Sequence, residues 1–427
     1  MKKYLAYLLT FCMFLCLLSG CGTPAAEEAG TAEGENGGET VTPDISATAK
    51  ELPVKLHVTS SHEREGEVSS EEMLMNFTWT ENGAVMEGYE ASGDKKDLVR
   101  MEITFDDQKR PATMVTLSTP ADEQPEEQKA TFQYPKEGQV KVINEGYGDG
   151  EKYVLYEYDK NGRMTREEYP NYTRIYEYDD QGNCIRKLID HKEVEDTEYK
   201  TVYTYGESGK ATFAVETSSA GGEVQKHFSY YPNGNVMWVC EISNQGNVNM
   251  VLNPYNTKDF GWGMGRAGSG DGDYQAEKDA QGRIVKVIYT NPYDGKQRES
   301  TLAYDAKGRL VEHKSHHGTV KRWEYDAKGR LVKEVSVSDT STSTTTYTYD
   351  DKGRMTEEKC TSDGGYGHTY TRVYNEEGMT TKMVESNVYN DGTTSTTTAE
   401  IEYAANAACK VSDQWAALFL MFFAVNA

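Results

Sequence analysis

The feature that most constrains the fold is an internal repeat, in which an aromatic-x-aromatic-Asp group is followed by two or three polar residues, a Gly and a short hydrophobic segment. Such periodicity is typical of an architecture built from one repeated supersecondary unit. The clearest copies are YEYDKNGRM (156–164), YEYDDQGNCI (176–185), LAYDAKGRLV (302–311), WEYDAKGRLV (323–332) and YTYDDKGRM (347–355). Weaker copies lie at 203–211, 228–236 and 372–380, and eroded ones at 77–85, 103–111 and 132–140.

Each unit predicts a β-hairpin. Two rings two residues apart lie on one face of a strand, because side chains alternate between the faces of a sheet. The Asp can bond to the backbone of its own turn, and the Gly supplies the positive φ that a short hairpin loop needs. A second set of turns, such as Asp294-Gly295 and Asp391-Gly392, falls between the repeat turns. The chain therefore reverses direction about every dozen residues, as an antiparallel meander does.

The number of strands predicts a curved sheet. About two dozen strands are too many for a flat open sheet, because strand twist makes a large sheet curl or divide. We expect an all-β fold in which the hairpins coil into a curved or spiral sheet. A β-propeller is the alternative, since two units have about the length of one four-stranded blade. The irregular unit length favours the coil.

Composition supports a sheet with half-buried rings and argues against one class of partner. Hydrophobic residues make up 37% of the chain and include 30 tyrosines, so tyrosine must supply much of the core. A tyrosine ring buries apolar area while its hydroxyl needs a partner. The net charge of −24 repels phosphate backbones and excludes nucleic acid as an expected partner. The cysteines outside the N-terminal segment lack the spacing of a zinc site or a disulfide framework.

The N-terminus predicts an extracytoplasmic lipoprotein. Lys2 and Lys3 precede an apolar segment that ends in Leu18-Ser19-Gly20-Cys21, which is the layout of a signal peptide followed by a lipobox. Cys21 is then the lipidated first residue of the mature protein. We expect 1–20 to be the signal peptide, 21–50 an acidic disordered tether, 51–150 degenerate hairpins, 151–403 the repeat body with a glycine-rich insertion at 251–276, and 404–427 a C-terminal cap helix.

The copies at 302–311 and 323–332, each with Tyr-Asp, two further residues and Gly-Arg-Leu, resemble the Rhs/YD-repeat family. The resemblance is good over about 150–380 and faint over 73–150. It implies a spiralling antiparallel β-sheet, which in large toxin members of the family encloses a C-terminal toxin. The Asp-Pro-x-Gly-Leu core segment of those toxins is absent from this sequence, so we do not extend encapsulation or self-cleavage to it.

The candidate ligand-binding residues are aromatic. Trp238 and Trp323 belong to the repeat, whereas Phe260, Trp262 and Arg266 lie in the glycine-rich insertion, where long loops often carry binding residues. Rows of rings can stack on sugars, although their simpler role is to form the core. His313, His316 and His317 are interpreted as part of a solvated turn and not as a metal site, because adjacent residues of a strand point to opposite faces. We expect no catalytic residue, metal or cofactor.

Three functions follow from these observations. The first is a membrane-anchored surface lipoprotein that acts as a binding or scaffold module, with carbohydrate, another surface polymer or a surface protein as its partner. The second is a purely structural envelope spacer. The third is a glycan-active enzyme, which is disfavoured because acidic pairs occur at almost every turn, where turn formation explains them, and no residue pair stands out from that background.

Overall fold

The computed structural model describes residues 51–405 apart from 109, 122–123, 146–151, 162, 192–196, 220, 257–272 and 292, and this part of the chain consists of β-strands and turns without a helix. None of it could therefore cross a membrane as a helix. The strands are β1 (Glu51–Arg64), β2 (Glu67–Thr80), β3 (Gly83–Ser92), β4 (Lys95–Phe105), β5 (Pro111–Thr119), β6 (Glu126–Gln133), β7 (Gln139–Glu145), β8 (Lys152–Tyr158), β9 (Met164–Glu168), β10 (Tyr172–Tyr178), β11 (Cys184–His191), β12 (Thr197–Tyr205), β13 (Ala211–Ser218), β14 (Glu223–Tyr230), β15 (Val236–Ser243), β16 (Val248–Leu252), β17 (Asp273–Lys278), β18 (Ile284–Thr290), β19 (Gln297–Tyr304), β20 (Leu310–Lys314), β21 (Val320–Tyr325), β22 (Leu331–Val337), β23 (Thr342–Tyr349), β24 (Met355–Ser362), β25 (Gly367–Tyr374), β26 (Thr380–Val388) and β27 (Thr394–Ala405).

All strands belong to one antiparallel sheet. Each strand pairs with the next along the chain from β1 to β16 and again from β17 to β27. β27 also pairs with β1. The order across the sheet is therefore β17 to β27 followed by β1 to β16. Its two edges are the strands that flank residues 253–272, in the middle of the chain.

The pairing of β1 with β27 joins the two ends of the described chain. Its register extends from Glu51 opposite Ala405 to Glu63 opposite Thr394, with one irregularity near Pro53. On its other side β1 pairs with β2 from Lys55 to Arg64. β1 is thus a central strand, and its backbone is hydrogen-bonded on both sides.

Two apolar clusters fill the inside of the curved sheet. The first is formed by β1–β9 with β26 and β27, and includes Leu56, Met86, Met114 and Ile401. The second brings β15 against β18–β22 and includes Trp238, Ile242 and Trp323. The six consecutive residues of β15 from Met237 to Ile242 are buried, so both faces of this strand are covered. Because β15 and β18–β22 are distant in the strand order, the sheet must curl until its two ends overlap.

The coiled all-β architecture expected from the repeat is confirmed. A propeller would divide the strands into separate blades, whereas this sheet is continuous from β17 through β1 to β16. The boundary expected at 150/151 falls between β7 and β8, which pair directly with each other. The C-terminal cap helix was predicted for 404–427. Ala404 and Ala405 instead complete β27, and the rest of that segment lies outside the described residues.

Candidate functional site

The repeat turn is held by its Asp and Arg, as the 305–309 turn illustrates. The Asp305 N–H donates to the Arg309 carbonyl at 2.9 Å, and the Gly308 N–H donates to the Asp305 carbonyl at 2.9 Å. Gly308 has a φ of 79°, which is the left-handed conformation that favours glycine. One carboxylate oxygen of Asp305 accepts the backbone N–H groups of Lys307 and Arg309. The other accepts Nε and a terminal nitrogen of the Arg309 guanidinium at 2.7 and 2.6 Å.

These hydrogen bonds keep the turn carboxylate charged. Burial by itself would raise the pKa of Asp305, but the backbone and guanidinium hydrogen bonds from Arg309 outweigh it and hold the pKa below its ordinary value. The same balance of causes lowers the pKa of Asp159 and Asp326. Each carboxylate is therefore committed to its own turn, and general acid–base catalysis would need a carboxyl group that is free to exchange protons near neutral pH.

The Arg of one turn also contacts the second aromatic residue of the next repeat. The Arg309 guanidinium lies over the Tyr325 ring, 4.5 Å from its centroid, which is a favourable cation–π distance. The Tyr325 hydroxyl donates to the Leu310 carbonyl at 2.8 Å. We call this arrangement the Asp–Arg–Tyr relay. The stacked cation–tyrosine pairs are Arg110–Tyr134, Arg163–Tyr178, Lys210–Tyr230, Arg283–Tyr304, Arg309–Tyr325, Arg330–Tyr349 and Arg354–Tyr374.

A β-bulge places the carbonyl that each tyrosine binds. In the β19–β20 hairpin, Ala303 pairs with Glu312 while Tyr304 pairs with Leu310, so Val311 is an extra residue. The same irregularity occurs at Tyr325 and Tyr349. A bulge disrupts the ladder locally. The hydroxyl from the next repeat then supplies a hydrogen bond at the point where the ladder is interrupted.

Two of the predicted ligand-binding residues are core residues, which corrects their expected display on a surface. Trp238 and Trp323 are 2% and 3% exposed. The Trp238 indole N–H donates to the Gly329 carbonyl at 3.2 Å, and that of Trp323 donates to Glu334 at 3.0 Å. With both rings packed in the second cluster, neither offers a face to a ligand from solvent. Cys21, Phe260, Trp262 and Arg266 lie outside the described residues.

The overlap of the two sheet ends forms an interface that we call the seam, between β14–β16 with the following residues to Asn256 on one side and β17–β24 on the other. Hydrogen bonds from side chains and from the backbone cross it. The Gln225 amide donates to the Gly282 carbonyl and accepts from the Ile284 N–H, at 2.9 and 2.8 Å. The Met355 N–H donates to the Pro254 carbonyl at 2.7 Å. Tertiary bonds and apolar packing thus take the place of a strand ladder here.

Two buried histidines lie at the seam. His227 of β14 packs against Phe213 and Tyr304, with ring centroids 5.0 and 5.6 Å apart. His313 of β20 is 6% exposed and is bonded to the backbone of Gly246. Desolvation lowers the pKa of each to about 4. The interpretation of 313–317 as a solvated turn is therefore wrong for His313. Among the described residues, no group of His, Cys, Asp and Glu side chains is arranged to hold a metal ion.

A buried ion-pair network lies on the opposite face of β13–β15. Lys226 donates to one carboxylate oxygen of Glu216 at 3.0 Å, and its Nζ is 3.9 Å from an oxygen of Glu241. Glu216 and Lys226 are each 1% exposed, and Glu241 is 5% exposed. Replacing one partner of such a pair is costly because it leaves a buried charge uncompensated. The sequence does not distinguish these residues, because alternating charges in a strand are also typical of a solvated face.

The RHS Repeat family model matches residues 304–336, which contain the 305–309 and 326–330 turns. The chain thus carries RHS repeats, and the resemblance inferred from its Tyr-Asp and Gly-Arg-Leu pattern is confirmed. Together with the fold, this defines a coiled antiparallel sheet built from RHS hairpins. No curated protein matches the sequence.

Solved structures similar to the chain include the TcdB2–TccC3–Cdc42 complex, with 11% identity, a TM-score of 0.21 and coverage of 78% of this chain and 23% of that chain. The Photorhabdus luminescens Tc holotoxin pore has 11% identity and a TM-score of 0.21, with 77% of this chain and 22% of that chain covered. A porin-like protein from Bacteroides uniformis has 12% identity and a TM-score of 0.21, with 83% and 99% covered. The chain therefore spans less than a quarter of the toxin chains. At such low TM-scores, the likeness supports no inference about function.

Removing one tyrosine hydroxyl tests the relay. We expect Tyr325→Phe to lower the free energy of unfolding by about 1 kcal/mol, because the Leu310 carbonyl loses its donor in a largely buried position. Urea unfolding followed by circular dichroism measures the change. Tyr293→Phe is the matched control, since Tyr293 is 94% exposed and should tolerate the change. Equal stability of Tyr325→Phe and the parent protein would contradict the relay.

The buried histidines predict acid sensitivity. The pKa of His227, about 4 in the folded protein, is below the value of about 6.5 for an exposed histidine. Its contribution to stability is therefore complete above about pH 6.5 and is lost as the pH falls toward 4. From this residue alone we expect the free energy of unfolding to be about 2 kcal/mol lower at pH 5 than at pH 7.5. Urea titrations at both pH values should show that the free energy of unfolding differs less between them for His227→Gln than for the parent protein. The exposed control His62→Gln should keep the parent difference, and an unchanged difference in His227→Gln would refute the prediction.

Proposed function

We propose that this protein is a non-catalytic scaffold that is held at the outer side of a bacterial membrane by a lipid on Cys21. The observation that supports this proposal most directly is the Asp–Arg–Tyr relay. The side chains that recur most regularly in the sequence are bound to one another, from each turn to the next repeat. The repeated chemistry is thus used to hold the sheet together, which is what a scaffold requires.

The position of β1 also suits a tethered protein. The proposed tether reaches the body at Glu51, the first residue of β1. β1 has a register of twelve residue pairs with β27 and ten with β2. A force on the tether would therefore act along a strand that is hydrogen-bonded on both sides, where several bonds must break together. An edge strand would be removed more easily, since it has a ladder on one side only.

A more specific proposal is that the scaffold binds a carbohydrate, and the exposed tyrosine rings provide its test. Tyr366 and Tyr389 lie on neighbouring hairpin turns at 36% and 41% exposure, with ring centroids 6.3 Å apart. Exposed amphipathic rings of this kind are available for stacking. On a glycan array, the parent protein should bind at least one surface polysaccharide, and Tyr366→Ala and Tyr389→Ala should each weaken the signal severalfold. Tyr293→Ala is the control, because Tyr293 lies on a different turn. Absence of binding, or binding indifferent to both changes, would remove carbohydrate as the ligand.

Lipidation at Cys21 has its own test. In a bacterial expression host, the parent protein should incorporate labelled fatty acid and enter the detergent phase of Triton X-114. Cys21→Ser should remain unlabelled and enter the aqueous phase, because serine has no thiol to receive the diacylglycerol. Cys12→Ser is the matched control, since Cys12 lies in the apolar part of the signal. If Cys21→Ser were labelled and partitioned like the parent, Cys21 would not be the anchor.

A further inference from the structure

A cavity of about 190 Å³ opens at the seam where three hairpin turns meet. The turns are 231–235 from the β14–β15 hairpin, 326–330 from β21–β22 and 350–354 from β23–β24. At about 30 Å³ for each water molecule, the cavity has room for about six waters. This volume fits a monosaccharide and is too small for a drug-like molecule. It lies between the two layers of the overlapped sheet, so residues far apart in sequence line it.

A departure from the repeat motif builds one wall of this cavity. The 231–235 turn has Tyr231 where the 305–309, 326–330 and 350–354 turns have Asp, and Asn235 where they have Arg. It keeps the hairpin bonds, because the Tyr231 N–H donates to the Asn235 carbonyl at 2.9 Å. The ion pair of the standard turn is thus replaced by an aromatic ring and an amide. Tyr231 and Met237 are 4% and 3% exposed and supply an apolar floor.

The residue that ends the β16 side of the cavity is conformationally unusual. Asn256 has a φ of 53°, a left-handed conformation that is uncommon outside glycine and is often found at functional sites. Its carbonyl and side-chain oxygens both accept hydrogen bonds from the Asn235 amide, at 2.6 and 3.0 Å. Its own amide donates to the Lys352 carbonyl at 3.0 Å. A set of amides therefore fixes this wall against the 350–354 turn.

The charges around the cavity are mainly positive, in a chain whose net charge is −24. The charge of Arg330 is neutralised by Asp326, 2.7 Å away. The Lys352 ammonium donates to the Glu376 carbonyl at 2.8 Å. A carbonyl carries no net charge, so the positive charge of Lys352 is not compensated by this bond. Lys328 lies on the rim. Asp351 is the one carboxylate among the lining residues. Two lysines against one aspartate leave a local positive charge that favours an anion.

We propose that this cavity binds a small molecule that carries one oxyanion, with a sugar acid as the form that best fits the space. The lysine ammonium groups attract the anionic group, while Tyr231 and Met237 pack against the apolar face of the molecule. Amide and backbone groups on the walls are available for its hydroxyls. This binding site does not depend on the scaffold function or on the lipid anchor.

The repeat provides a matched pair of variants. Lys328 and Lys307 occupy the same position in identical Asp-Ala-Lys-Gly-Arg turns, but Lys328 lines the cavity and Lys307 does not. Glucuronate, glucose and inorganic phosphate are titrated into the mature protein at low salt. Saturation-transfer NMR reports the two sugars, and ³¹P line broadening reports phosphate. Lys328→Gln should raise the dissociation constant about threefold to fivefold, as expected for one partly exposed ionic contact, and Lys307→Gln should leave it unchanged.

A second variant reverses the direction of the effect. Asp351→Asn removes the opposing charge and should tighten glucuronate binding about threefold, an outcome that simple damage to the fold would not produce. Saturable binding of glucuronate with weak or absent binding of glucose supports the proposal and identifies a sugar acid. Equally tight binding of phosphate supports an oxyanion site and shows that the site recognises the anionic group without the sugar. Absence of saturable binding, equal binding of glucose, or equal effects of the Lys328 and Lys307 changes would overturn it.

Discussion

The structure depends above all on the guanidinium group of each repeat turn. Arg309 binds Asp305 through two nitrogens and lies with its face over Tyr325 of the next repeat. A planar guanidinium can do both at once because its edge carries the donors and its face is weakly hydrated. Each Arg therefore stabilises its own turn and fixes the position of the following strand. Where Lys210 replaces it, the cation still lies over Tyr230, but the fork that would bind an Asp is missing, and the turn there begins with Gly206.

The relay explains why so much tyrosine is compatible with a stable sheet. A phenylalanine at the second aromatic position would pack equally well but leave the carbonyl at the bulge without its donor. A fully buried tyrosine would need its partner inside the core. The tyrosine at the sheet margin satisfies both requirements, since its ring packs inward while its hydroxyl reaches the backbone of the preceding hairpin. The apolar area missing from the aliphatic residues is thereby recovered at the turns, one ring for each repeat.

Local patterns predicted the hairpins well, because everything that defines one lies within about ten residues. The eroded copy at 103–111 shows how far this extends. Asp106 and Arg110 form the full turn, and Tyr134 donates to the Pro111 carbonyl at 2.7 Å, although the turn lacks the usual glycine. The pairing of β1 with β27 and the seam were not predictable in this way. Pairing between residues more than 300 apart in the chain leaves no local sequence pattern. Any strand of suitable length could have paired with β27 or packed at the seam.

One sequence signal of the seam was nevertheless present. Residues 236–240 are continuously apolar, unlike the alternating strands elsewhere, and such a run indicates a strand covered on both faces. Interpreted in that way, Trp238 belongs to a buried layer and not to a binding surface. The adjacent turn, with Tyr231 and Asn235 in place of Asp and Arg, shows a related principle. In a sheet whose repeated residues are bound to one another, a position that departs from the repeat is released from that role, so its side chain can line a cavity or cross an interface. Departures from the motif are therefore the positions whose side chains are available for the proposed binding site.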